Sequence, residues 1–326
     1  MVTLGCSGYQ NVSPTGLGVE LPVLSWRKTP PQAYLCSLDH FVFIINSKSG
    51  RHRPEVLESR IQAAIDSFQL SADCHLTRDA QHTAEIIQTS LDKGKNIFIA
   101  VGGDGTVNTL ARNLVHQDAK LGIIPRGSGN GLARHLAMPR DIYSCIQRLI
   151  RKKTVSVDGI KINGYWSFNV AGIGFDGYIS TLFGQNGQRG MTTYMKLINR
   201  EYKAYQPIVM EIRYDNEFIV KPVFQLAIAN ASQYGNNAIV APFASLEDQL
   251  LDISMITKVP MSLLPAFFLK VFSGNIHRSK YWQSIKTDKL LVTTSRPVHF
   301  HTDGDGRGMS EHFDIEMIPS CLQLIY

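Results

Sequence analysis

No apolar run in this chain reaches the ~18 residues that a membrane-crossing helix needs, so no transmembrane segment is expected. Cysteine is scarce and scattered: Cys6, Cys36, Cys74, Cys145 and Cys321 stand far apart, with no C-x-x-C pair. An odd, dispersed set argues against a disulfide framework or a zinc site and fits reduced thiols. The N-terminus lacks a basic segment followed by a long apolar one, so a secretory signal is not expected. Internal repeats are missing, and no aromatic–basic array is dense enough to propose nucleic-acid binding. Charge is only mildly one-sided, 33 Lys and Arg against 27 Asp and Glu. A net +6 suits nucleic acid, an anionic membrane surface or a polyphosphate ligand without choosing among them. These absences predict a soluble, cytoplasmic protein, with peripheral association to a membrane left open.

What is present is a globular balance, 44% hydrophobic and 18% charged over 326 residues. At ~150 residues per domain, that length suggests two domains. Residues 1–38 are rich in Gly, Pro and Ser, have no sustained periodicity, and read as an N-terminal extension that Trp26 could tack down. The first domain is read over 39–154. Apolar strands at 40–45, near 74–77, at 97–101 and at 121–124 alternate with helices at 57–68, 79–93, 106–116 and from Asp141. This alternation predicts an α/β domain with a parallel sheet and right-handed crossovers. From Val155 to about residue 317 the pattern turns to strands at 155–162, 166–171, 208–214, 218–230, 251–257, 290–294 and 298–301. That half is read as a mainly antiparallel, β-rich domain interrupted by helices near 190–204 and 260–273. The last strands, 313–318 and 321–325, could serve either domain, with residues 318–326 packing back on the first.

The chemistry concentrates where the strand at 97–101 ends in Gly102-Gly103-Asp104-Gly105-Thr106-Val107-Asn108. Glycines without Cβ atoms let the backbone approach a ligand, and a helix starting near Thr106 aims N–H groups and its positive dipole end at the same spot. One helix and one strand later comes a second glycine turn, Pro125-Arg126-Gly127-Ser128-Gly129-Asn130-Gly131. In parallel sheets ligands bind beyond the strand carboxyl ends, so both loops meet at one edge. The first loop is neither the G-x-G-x-x-G of dinucleotide folds nor the G-x-x-x-x-G-K-[ST] of P-loops.

Together the two loops resemble those of the diacylglycerol kinase catalytic superfamily, which includes bacterial lipid kinases, sphingosine kinases and ceramide kinases. Its members share a G-G-D-G-T-x-N loop and a downstream P-x-G-[ST]-x-N segment, and the likeness runs from about Phe41 to Tyr326. It implies a first domain of the NAD kinase and phosphofructokinase type. It also implies nucleotide contacts at Asn46, Thr77, Gly102, Gly103, Asp104, Gly105, Thr106, Val107, Asn108, Gly127, Ser128 and Asn130. The family's N-P-x-[SA]-G turn reads Asn46-Ser47-Lys48-Ser49-Gly50 here, without its proline. Bacterial members usually carry Asp where this chain has Gly131. The family's catalytic D-G-E is matched by Asp303-Gly304-Asp305, one methylene shorter. Asp305 is therefore the expected proton acceptor from an attacking hydroxyl, and Asp104 the expected partner of nucleotide-bound Mg2+. A D-G-x-L-D loop implies a structural Mg2+ held by Asp248 and the carbonyls of Ser245 and Leu250, although Gln249 replaces the glycine. One carboxylate with carbonyls suits Mg2+ or Ca2+ rather than zinc.

Two stretches invite a membrane reading. In 189–205, Lys196, Arg200 and Lys203 share a helical face; it is read as a packed helix with a solvated basic edge. Residues 261–272 are read as a core helix rather than an anchor. The expected activity is ATP-dependent transfer of a phosphoryl group to a diacylglycerol- or sphingoid-type hydroxyl at a membrane surface. NAD kinases and phosphofructokinases share a G-G-D-G-[TS] loop, so a kinase of a soluble acceptor remains an alternative, as does a non-catalytic lipid or nucleotide sensor. The oligomeric state is left open, a homodimer included.

Overall fold

A computed structural model describes residues 39–47, 54–151, 153–185 and 190–326, all within one packed unit, Tyr34–Tyr326. The expected extension over 1–38 with Trp26, and Lys48-Ser49-Gly50 of the first turn, lie outside the described residues.

The chain opens with β1 (His40–Asn46), whose five central residues are buried, as a strand covered on both faces requires. Helix α1 (Pro54–Phe68) follows, burying Leu57, Ile61, Ala64 and Ile65 along one stripe. Next come β2 (Ser71–Thr77) and α2 (Ala80–Asp92), the latter started by Asp79, whose carboxylate accepts from His82 N. Then β3 (Ile97–Gly102), α3 (Asp104–Leu114), β4 (Lys120–Pro125) and the short α4 (Gly131–His135) follow. The half closes with α5 (Ile142–Ile150). The strands run parallel in the order β4-β3-β1-β2, which brings the C-terminal ends of β3 and β4 side by side. Both glycine loops leave from there.

The second half begins with β5 (Thr154–Ile162), β6 (Tyr165–Ser167) and β7 (Val170–Gly174). Helices α6 (Phe175–Gln185) and α7 (Met191–Glu201) precede β8 (Ile208–Tyr214), β9 (Glu217–Val223), β10 (Gln225–Ala229) and β11 (Leu251–Ile256). A 3-10 turn, Met261–Leu263, leads into α8 (Leu264–Phe272). The chain finishes with β12 (Trp282–Thr287), β13 (Lys289–Thr302) and β14 (Asp305–Ile325). These strands pair antiparallel, so the architecture is an α/β half with a parallel sheet joined to an antiparallel, β-rich half. The two halves share one hydrogen-bonded sheet because β14 pairs antiparallel with β13 and β5, and then parallel with β4 at Gln323, Leu324 and Ile325. Leu322, Leu324 and Ile325 accordingly sit in the core of the first half.

Several boundaries differ from the sequence reading. The strand expected over 218–230 breaks at Phe224 into β9 and β10, and the pieces at 290–294 and 298–301 form one strand with a bulge. Helix α6 was not expected; Gly177 and Gly184 lower its propensity, and packing decides it instead. Helix α8 is not a core helix: Val271 alone among its residues is buried, and Leu269 is 71% exposed. The described cysteines, Cys74, Cys145 and Cys321, are free, and burial pushes their thiols up to about 11, 12 and 12.

Candidate active site

The two glycine loops cross at backbone contact distance. A Cβ on Gly127 would lie 2.5 Å from the Gly103 Cα, so neither position has room for a side chain. Arg126 N donates to Gly102 O at 2.7 Å, tying the second loop to the end of β3. Gly103 caps α3 with no side-chain hydrogen bond, so the helix N-terminus stays open toward the crossing, an arrangement that suits phosphate. Asn130 sits in the left-handed region (φ 54°) and folds its own loop: its Oδ1 accepts from Gly127 N, and its Nδ2 donates to Gly127 O, both at 2.8 Å.

Asp104 joins the loops. Its carboxylate accepts from Asn130 N at 2.8 Å and from Gly131 N at 2.7 Å. Burial raises its pKa to about 6, against the lowering effect of those two N–H groups and with a further push from Asp303. Gly131 has a steric reason that the sequence did not display. A Cβ there would fall 2.2 Å from Asn169 Nδ2 and 2.9 Å from the carbonyls of Gln233 and Tyr234. We expect Gly131→Asp, the residue of bacterial relatives, to distort the second loop. Loss of activity with a lowered melting temperature is the expected outcome, and an unchanged protein would show that the loop yields.

Other residues named from the sequence take different places. Asn46 donates to Thr106 Oγ1 at 2.9 Å, linking the end of β1 to the first turn of α3. Thr77 is buried, with its hydroxyl directed at Ile45 O (3.4 Å) rather than at the glycine loops. Asn108 is also buried, donating to Asp303 Oδ2 at 2.7 Å and Trp166 O at 3.0 Å, so it works as a strut between the halves. Val107 packs in the first core. Asp303 gathers donors from both halves: besides Asn108, it accepts from Ser167 Oγ at 2.6 Å and from the backbone N of Phe168, Asn169 and Val170. Asp305, the expected proton acceptor, lies beside Gly105 at the rim, 58% exposed and 3.8 Å from the Arg307 guanidinium.

Asp104, Ser128 and Gly129 line a cavity of about 250 Å³ together with residues of α6, α7 and α8; Asp303 lines it and Asp305 does not. Its walls are largely apolar, with Phe175, Ile179 and Phe183 of α6, Ile198 of α7, and Leu264 and Phe267 of α8. Two polar features interrupt them, both missed in the sequence. Asn169 is buried and lines the same cavity as Asp104, and its Oδ1 has no partner among the described residues. Deeper, Asp176 accepts from the Tyr234 hydroxyl, with His301 Nε2 3.3 Å from the same oxygen. His301 Nδ1 accepts from Gly304 N at 3.2 Å, which puts the ring proton on Nε2, facing Asp176. The readable signal was Asn169 and Asp176, polar residues flanking an otherwise apolar strand.

The loop at 245–252 does not fit the divalent cation that the resemblance implies. Lys286 Nζ donates to Asp248 Oδ2 at 2.8 Å and Phe243 O at 3.2 Å, and lies 3.1 Å from Asp252 Oδ2. An ammonium thus occupies the Asp248 carboxylate, the one charged ligand of the implied set. Burial alone would lower the Lys286 pKa, but Asp248 and Asp252 together hold it above the ordinary value. Asp248 Oδ1 accepts from Leu250 N, while the Ser245 hydroxyl accepts from Glu247 N. Gln249 adopts the left-handed conformation (φ 62°) that a glycine would take, held by its N–H to Asp158 Oδ2 at 2.8 Å. Among the described residues no group of three His, Cys, Asp or Glu could hold a metal. We expect chelation to leave the melting temperature unchanged, and Lys286→Met to lower it by stranding two carboxylates. A chelation-sensitive wild type would overturn this.

Comparison with known proteins agrees with this geometry. The model of the diacylglycerol kinase catalytic domain matches residues 40–162, and that of the YegS C-terminal NAD kinase beta sandwich-like domain matches 169–326. A diacylglycerol kinase of Bacillus subtilis (strain 168) is 26% identical over 282 residues, covering 82% of this chain and 89% of its own. The "Probable lipid kinase YegS-like" of Yersinia pestis (strain Pestoides F) is 24% identical over 298 residues, covering 88% and 96%. The crystal structure of a diacylglycerol kinase from Bacillus anthracis str. Sterne superimposes with a TM-score of 0.68 at 20% identity, covering 88% of this chain and 97% of that one. With its crossed glycine loops and β-rich second half, the chain belongs to the diacylglycerol kinase catalytic-domain superfamily.

Proposed function

We propose that the protein is an ATP-dependent lipid kinase acting on the hydroxyl of a diacylglycerol- or sphingoid-type lipid. The observation that carries this reading is the largely apolar cavity that Asp104, Ser128 and Gly129 of the glycine loops help to line. A long hydrocarbon chain fits such walls, and the reacting hydroxyl then lies beside Asp104. A soluble, charged acceptor such as NAD would gain little from them.

The donor set fits a nucleotide: an uncapped helix N-terminus, two side-chain-free crossing points, and the Ser128 hydroxyl at the same edge. ATP supplies the γ-phosphoryl group when bound, and Mg2+ enters with its phosphates. Asp104 takes the proton from the attacking hydroxyl. Each of its oxygens accepts one N–H and keeps a lone-pair site, and its raised pKa makes it a stronger base than an ordinary carboxylate. This reading moves the proton acceptor from Asp305 to Asp104, because Asp305 stands off the cavity wall. The unpartnered Asn169 Oδ1 offers the acceptor lipid a second polar contact.

The test incubates purified protein with labelled ATP, Mg2+ and a panel of diacylglycerol, sphingosine, ceramide and NAD, with products read by mass spectrometry. Phosphate on a lipid is the expected result. Transfer to NAD alone, or to no acceptor, would sink the proposal.

A further inference from the structure

The 3-10 turn and α8 present two different faces. On one, Leu264, Phe267, Phe268 and Val271 line the cavity that leads to Asp104. On the other, Met261 is 50% exposed, Leu263 43% and Leu269 71%, an apolar patch with no packing partner among the described residues. Charge along the stretch of chain that carries this patch has a single sign. Residues 253–287 contain no Asp or Glu, yet carry Lys258, Lys270, Arg278, Lys280 and Lys286. Three of these are committed to the protein: Lys258 to the carbonyls of Lys203 and Tyr205, Lys270 to that of Arg278, and Lys286 to Asp248. Arg278 and Lys280 remain exposed just beyond the helix. Helix α7, which lines the same cavity through Tyr194 and Ile198, exposes Lys196, and Lys203 follows it. Its carboxylate, Glu201, is taken up by Arg200 and the Tyr178 hydroxyl.

We propose that the outer face of 261–272 is the surface by which the protein docks on an anionic lipid bilayer, seating the cavity over the membrane so that acceptor lipid passes between α7 and α8. The inference rests on the reading of that cavity as the acceptor site. An exposed apolar helix face on a stretch of chain with exposed cations and no carboxylate matches the interface of a bilayer with negative headgroups. A second copy of this chain is a poorer occupant, since two such faces would bring like charges together.

The test uses the full chain and sedimentation with vesicles of phosphatidylcholine, with or without phosphatidylglycerol. Binding is expected only to the anionic vesicles and should weaken as salt rises. The double variant L263E/L269E, neither residue lining the cavity, should lose about tenfold or more of this binding. It should keep its melting temperature and its rate on a short-chain lipid dissolved as monomers. Equal binding of wild type to neutral vesicles, or retained binding by the folded double variant, would overturn the proposal. So would an effect of the variant on self-association alone in sedimentation velocity. Should no lipid be phosphorylated in any form, the kinase reading fails by itself, and the vesicle result still decides whether this face docks.

Discussion

Replacing Asp104 with Asn is expected to cut kcat by about 100- to 10,000-fold, the range for losing a positioned general base. The Asn side chain has nearly the same shape and can still accept one of the two N–H groups that reach Asp104, so the loops should stay crossed and nucleotide binding should persist. In the wild type, kcat/KM should rise with pH, reach half its plateau near 6 and level off about one unit higher. Burial has moved the carboxyl up to about 6, and only its ionised form accepts the proton. At pH 5 the rate should be about tenfold below the plateau, because roughly one molecule in ten then carries the base. Asp305→Asn should cost far less, as that side chain is exposed at the rim. A pH–rate series on the three proteins decides the matter. If D305N is the inactive variant and D104N keeps the acidic limb, Asp305 is the base after all.

The second large effect is on stability. Asp303→Ala removes one carboxylate that accepts from Asn108, Ser167, Phe168, Asn169 and Val170. Buried donors left without acceptors cost about 1–3 kcal/mol each and do not add fully, so a loss of about 4 kcal/mol or more is expected. At ~2.1 cal/mol/K per residue, that corresponds to a fall of about 6 °C in Tm. Asp303→Asn should fall between, since one oxygen can still serve Ser167, Asn169 and Val170 while the amide nitrogen faces the Phe168 N–H. Calorimetry on both variants checks the order. A D303A protein as stable as wild type would mean that water replaces the carboxylate.

The parallel half was legible because its signals are local. Strands buried on both faces read as unbroken apolar runs, and α1 shows its buried stripe at spacings of three and four. The glycine loops were legible for the same reason, as backbone crowding at Gly103 and Gly127 forbids any side chain. The β-rich half was read less well. Its strands take their limits from partners distant in the chain, so β14 runs unbroken over two segments that looked separate. Helix α6 carries glycines that argue against a helix, yet Gly177 lets it pack against the His299 backbone.

Sequence by itself determined that two glycine loops leave neighbouring strand ends at one edge of the parallel sheet, since both the apolar strands and the glycine turns are local signals. Tertiary structure decided the surroundings of the carboxylates. Asp104, Asp303, Asp305 and Asp248 look alike in a sequence, because a carboxylate's task depends on its surroundings. Asp104 is desolvated against a cavity, Asp303 is saturated with donors from both halves, Asp305 stands off that cavity beside Arg307 with its pKa raised by burial, and Asp248 is paired with Lys286 of β12. For Asp303 those surroundings come from residues more than a hundred positions away, Asn108 and Asn169 among them, and only folding brings them to within 3 Å of its carboxylate.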